Sequence, residues 1–147
     1  MSYDIFKSVA NGYAELLSNK SWLNDDIAVL LVRHELGEGN ISRTSMTYED
    51  LSTCVEKSIP IVDPSVYVNA NNEVVFTHDR VIFTYNESLI GRYIFYVLGN
   101  ASSLSATDKV IGYVDLTGGG DASSVQAEFS AIPQSDHLFD VKPTIEV

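Results

Sequence analysis

Three histidines, one cysteine and twenty carboxylates are the side chains through which this chain could do acid–base, nucleophilic or metal chemistry. Their spacing decides which of these is open to them. His34, His78 and His137 stand on three separate segments, and none shares a short motif with another histidine or with Cys54. A locally encoded zinc site needs two such ligands a few residues apart, on one strand or one helix face. The adjacent carboxylates Asp25–Asp26 and Glu49–Asp50 would point to opposite faces of a strand or diverge on a helix, so they read as capping and solvated groups. Serine is abundant, but no G-x-S-x-G nucleophile elbow occurs. Cys54 has only Lys57 as a nearby base and shares an apolar stripe with Leu51, as a buried structural thiol would. No catalytic residue, no cofactor and no metal site is expected.

The strongest chemical suggestion lies in "IGYVDLTGGGD", residues 111–121, where an alternating apolar run breaks into three glycines. A phosphate cradle aims backbone N–H groups at the anion and ends at a helix N-terminus, with Lys and Ser or Thr after the last glycine in the triphosphate version. Here Asp121 follows the glycines, and the next segment, "SSVQAEFSAI", has the period of a strand. The sequence therefore predicts a structural loop between two strands, a wide hairpin whose glycines take positive φ. Gly119 is one of them.

The elements that would position these residues follow from periodicity. Ile5, Phe6, Val9, Tyr13, Leu16 and Leu17 recur every three or four residues and predict an amphipathic helix over 3–18, interrupted by Gly12. "IAVLLVRH" reads as a buried strand, and "LGEGNISRTSM" as a loop. In "TYEDLSTCVEK", Thr47 and Asp50 have the spacing of a capping box and predict a short second helix. Pro60 and Pro64 mark an edge or connecting segment, and "NANN" is a hairpin turn between "VYV" and "EVVFTH". In "KVIGYVDL", alternation sends Val110, Gly112, Val114 and Leu116 one way and Ile111, Tyr113 and Asp115 the other. The expected fold is mainly β (α+β): a single β-sandwich or open β-barrel of about seven short strands with an N-terminal amphipathic helix and a short second helix. It forms one domain over 1–147, with a helix in 1–20, a β core over 25–141 and an extension over 142–147.

Composition narrows the function. The net charge is −11, with 9 bases against 20 acids. The acidity is spread evenly, 5 − 11 = −6 over residues 1–73 and 4 − 9 = −5 over 74–147. Nucleic-acid and anionic-membrane binding draw on clustered Lys and Arg, so neither partner is expected. One cysteine excludes an internal disulfide. The opening "MSYDIFKSVANGYAELL" lacks the basic-then-apolar pattern of a signal peptide, and the expected compartment is a reducing cytosol.

The order of segments resembles that of a group of small tailed-bacteriophage virion proteins. An N-terminal helix is followed by a strand of the type "NDDIAVLLV", then by a variable loop with a short helical segment. Next come a strand pair like "EVVFTHDRVIFTY", a strand like "IGRYIFYV", and "IGYVDLTGGGDASS" leading to a final strand and "FDV". The resemblance covers about residues 20–141. It implies a virion structural protein, most of all a capsid cement or decoration subunit on the outside of the head, made in the host bacterial cytoplasm. Its partners would be the major capsid protein and further copies of itself, as a trimer or dimer. The alternative is a head–tail junction, tail or receptor-binding β module.

Because alternation commits the sheet interiors to the core, adhesion is expected from loops and ends. The candidate interface is the helix stripe Ile5, Phe6, Val9, Tyr13 and Leu17, then Arg43 in the 36–46 loop, then Lys142, Pro143 and Ile145 in the tail.

Overall fold

The structure, a computed structural model, describes residues 6–19, 27–131 and 139–141. "IAVLLV" forms strand β2 (Ile27–Val32), and every one of its residues is buried. A continuous apolar run can stay dry only between two strands and between two layers, and β2 has both. It pairs antiparallel with β8 (Tyr93–Leu98), from Ile27↔Leu98 to Val32↔Tyr93, and on its other side with β3 (Val55–Pro60). With β9 (Val110–Asp115) and the short β1 (Lys7–Ser8) these strands make the main sheet, in the order β1-β9-β8-β2-β3.

Each face of this sheet carries its own core. On one face Val29, Leu31, Ile94, Tyr96 and Ile111 pack with Leu16 of helix α1 (Ala10–Asn19) and with an outer layer of strands. That layer contains β5 (Val74–Thr77), which supplies Phe76, β6 (Val81–Thr84), which supplies Val81 and Phe83, and β11 (Phe129–Ala131), which supplies Phe129. On the other face Leu30, Val32, Tyr93, Phe95 and Tyr113 pack beneath Leu36, Met46, Leu51 and Cys54. Phe95 stacks on Tyr113 with ring centroids 5.0 Å apart, and Tyr93 meets both edge-on. The outer layer is completed by β4 (Ser65–Val68) and β12 (Phe139–Val141), which flank β5 in the order β12-β5-β4. Two ribbons remain: β11 pairs β6, and β10 (Ala122–Ser123) pairs β7 (Ile90–Gly91). The fold is mainly β with one α-helix, and among the described residues no sheet closes into a barrel.

Several local expectations are corrected. The helix begins at Ala10, because Lys7 and Ser8 pair with Tyr113 and Gly112 as a sheet edge. The helix amides of Ala10 and Asn11 donate to the carbonyls of Arg43 and Thr44 at 2.8 and 2.9 Å, so the neighbouring loop replaces a capping side chain. Gly12, which weakened the helix on propensity, is there for close approach: a Cβ would collide with the backbone carbonyl of Val110 on β9. The predicted second helix is instead two 3-10 turns, Tyr48–Asp50 and Ser52–Cys54, although the Thr47 amide does donate to Asp50 Oδ2 at 3.0 Å.

The alternation assigned to 110–116 also fails by one residue. Tyr96 faces Gly112 while Val97 faces Val110, so Ile111 is an extra residue in β9. Such a bulge reverses the facing beyond it, and Val110 and Tyr113 share one core while Ile111 packs in the other. The hairpin at "NANN" forms as expected, with the Asn69 side chain accepting from the amides of Asn71 and Glu73.

Candidate functional site

The ionisable side chains gather at one end of the main sheet, where β2 and β9 finish and β3 and β8 start. Arg92, just before β8, makes a two-pronged ion pair with Asp115 at the end of β9, with Nε–Oδ1 at 3.0 Å and Nη2–Oδ2 at 2.8 Å. Both residues are buried. Burial alone would push the Asp115 carboxyl up. The Arg92 guanidinium and the amides of Gly118 and Thr117 outweigh it and hold the carboxyl below its usual 3.8. Arg92 is raised in turn, chiefly by its bond to that carboxylate. Its guanidinium lies 4.8 Å from the Tyr93 ring centre and 3.5 Å from Glu38, which also reaches Lys7 at 3.9 Å. Burial pushes the Tyr93 phenol up to about 12, and its hydroxyl is buried without a hydrogen-bond partner. Beside this cluster Arg33, following β2, pairs with Glu56 of β3 at 3.2 Å, and Glu56 also accepts the Ile90 amide.

The glycine loop is built into this rim. Asp115 Oδ1 accepts the Gly118 amide at 3.0 Å, and Asp121 accepts the backbone amide of His34 at 2.7 Å and its Nδ1 at 2.6 Å. Both aspartates of "DLTGGGD" are thus spent on holding the loop. It is a structural connection, but not a hairpin: it leaves β9 in the main sheet and enters β10, which pairs with β7. Of its glycines only Gly118 has positive φ, 72°; at Gly119 a Cβ would meet nothing within 4 Å. The strand predicted over "SSVQAEFSAI" is also broken, since β10 ends at Ser123 and bends at 125–127, with Val125 exposed, precede β11.

Such an arrangement fixes charge rather than moving it. Asp115 has both oxygens occupied by Arg92, and it is not placed to act as a base. Among the described residues no group of three His, Cys, Asp or Glu side chains converges as a metal site, and no helix is long and apolar enough to cross a membrane. His34 lies at the surface, whereas His78 is buried. Both ring nitrogens of His78 are satisfied there, meeting the Tyr96 hydroxyl and the Asp79 carbonyl, each at 2.7 Å. His137 lies outside the described residues.

The candidate interface residues divide three ways. Val9 is fully buried and belongs to the core beneath the main sheet, so it is not presented to a partner. Phe6 and Tyr13 are half-buried against the opposite core, and Phe6 meets Tyr96 edge-on at 5.9 Å. The helix stripe is therefore mostly covered by the chain's own sheet, leaving Leu17 at 42% exposure. Arg43 is exposed, and its Nε donates to the Ser8 carbonyl at 2.6 Å, tying the loop to β1. Ile5, Lys142, Pro143 and Ile145 lie outside the described residues.

An apolar surface appears instead on β4, which sequence reasoning placed correctly in a hairpin but not at the surface. Val66, Tyr67 and Val68 are 37%, 41% and 66% exposed. β4 hydrogen-bonds to β5, and among the described residues it is the last strand of its sheet. The one signal was Pro64, a residue suited to the start of an edge strand. Compared with protein-family models, curated proteins and solved structures, the chain matches none of them.

Proposed function

We propose that this chain is a non-enzymatic structural subunit of a tailed-phage virion, a capsid cement or decoration protein that binds the outer surface of the head and stabilises the shell. The observation that carries the reading is β4. Among the described residues it is the last strand of its sheet, and its three exposed apolar side chains, Val66, Tyr67 and Val68, offer a surface on which another chain could pack. Natural edges are commonly blunted by charge, by proline or by a bulge within the strand, and Ser65–Val68 carries none of these.

The rest of the molecule supports a scaffold role. A sheet sealed on both faces and clamped at one end by ion pairs gives a stiff frame behind that edge. The resemblance in order of segments supports a phage particle as the assembly, with the major capsid protein and further copies of this chain as partners. A net charge of −11 favours the outside of the shell, away from packaged DNA.

Quantifying the protein in purified particles against the major capsid protein tests this. Many copies per particle, released on heating together with loss of shell stability, is the expected result. A few copies per particle would move the chain to the head–tail junction or tail, and its absence from particles would end the virion reading.

A further inference from the structure

His78 lies where two sheets meet. It directly follows β5 in the outer sheet, and its partner Tyr96 belongs to β8 in the main sheet. The Asp79 carbonyl can only accept, so Nδ1 carries the hydrogen and donates to it; Nε2 then offers a lone pair, and the Tyr96 hydroxyl donates to that. Only the neutral ring satisfies both contacts in this way. The two rings lie with centroids 5.4 Å apart, and Tyr96 is itself buried in the core that includes Phe76, Val81 and Phe83.

We propose that the His78–Tyr96 pair is an acid-released latch, holding the β12-β5-β4 sheet against the main sheet at neutral pH and loosening it under mildly acidic conditions. A proton added at Nε2 turns the acceptor into a donor and sets N–H against O–H. The Tyr96 oxygen can receive that N–H only by turning its own hydrogen away from its acceptor, and the new positive charge is buried. Among the described residues two ionisable groups bear on the ring: Asp79, on the same turn, attracts the charge, and Tyr96, on β8, is kept un-ionised by burial. Burial outweighs the help from Asp79 and holds His78 below its usual 6.5.

The sign of the linkage follows. An opened His78 titrates near 6.5 and binds the proton more readily than the closed one. The latch is at full strength above that pH, and weakens as pH falls from 6.5 toward the lower closed-state value. Below the closed-state value no further weakening comes from this group.

Hydrogen exchange between about pH 7.5 and about pH 5, corrected for intrinsic amide chemistry, reads the latch by segment. Opening of Ser65–Val68 and Val74–Thr77 should rise by up to about tenfold per unit below 6.5, while Ile27–Val32 and Tyr93–Leu98 hold. His78→Gln, which stays neutral, should flatten that response, and His34→Gln should leave it intact. An acid response shared equally by both sheets, or one that persists in His78→Gln, would overturn the proposal. Should His78→Gln fail to fold, an NMR titration of the His78 ring in the unaltered chain decides the matter. A midpoint below 6.5 that tracks the opening of β5 supports the latch, and a midpoint at or above 6.5 refutes it.

Discussion

β2 and β4 are both short apolar strands, "IAVLLV" and "SVYV", yet every side chain of one is buried and those of the other are exposed. Composition does not separate them; position does. β2 sits between two strands and two cores, whereas β4 ends a small sheet in the outer layer. The difference teaches that the buried frame and the exposed apolar surface are housed apart in this molecule, and the proposed function assigns adhesion to the second. Substitutions in the main sheet should cost folding free energy, and substitutions in β4 should cost association.

The largest effect should come from the clamp at the end of the main sheet. Arg92→Leu strands the buried Asp115 carboxylate and should destabilise the protein by about 3–5 kcal/mol in urea unfolding. Adding Asp115→Leu should restore part of that loss, because two apolar side chains leave no orphaned charge. The same pair sets an acid limit. With Asp115 held below 3.8 in the folded state, its stabilisation is full above that pH and is lost as pH falls further. Gly12→Ala comes next. Helix propensity alone would make it stabilising, but the added Cβ meets the Val110 carbonyl, and a loss of about 1–3 kcal/mol is expected.

On the open side of the comparison the order reverses. Val68→Lys should change unfolding by no more than about 0.5 kcal/mol, since the side chain is already in water. It should nevertheless abolish binding to preformed shells in a sedimentation assay. A large stability loss there would mean that β4 is part of the frame. The smallest effect belongs to Gly119→Val, within about 0.5 kcal/mol by thermal unfolding, because φ is not positive there and the space is open.

Much of this contrast was legible in the sequence, and the reasons for the remainder are specific. Periodicity found β2 and β9, because each turns a continuous or alternating apolar pattern into buried faces, and the turn signal "NANN" found the β4–β5 hairpin. It missed the true start of α1, since Phe6 and Val9 fit a helical stripe, and only the pairing of Lys7 with Tyr113 makes the preceding residues a strand. It missed the bulge at Ile111, which depends on what β8 offers opposite. It read "LTGGGD" correctly as structural but drew it as a hairpin, because a turn signal does not say which strand the next one will join. The Arg92–Asp115 and His78–Tyr96 contacts join residues 23 and 18 positions apart, and no short motif records them. The exposure of β4 was hidden for the converse reason: an apolar tripeptide looks the same whether it is covered or left at the surface.

The separation of the frame from the proposed docking strand can be measured at the level of single strands. Hydrogen exchange on the free protein and on the protein bound to shells compares Ser65–Val68 with Ile27–Val32 under the same conditions. In the free state Ile27–Val32 should exchange only through global unfolding, and Ser65–Val68 far faster. On binding, strong protection should appear over Ser65–Val68. A bound protein whose β4 exchanges as fast as in the free chain, with protection gained only elsewhere, would contradict the account.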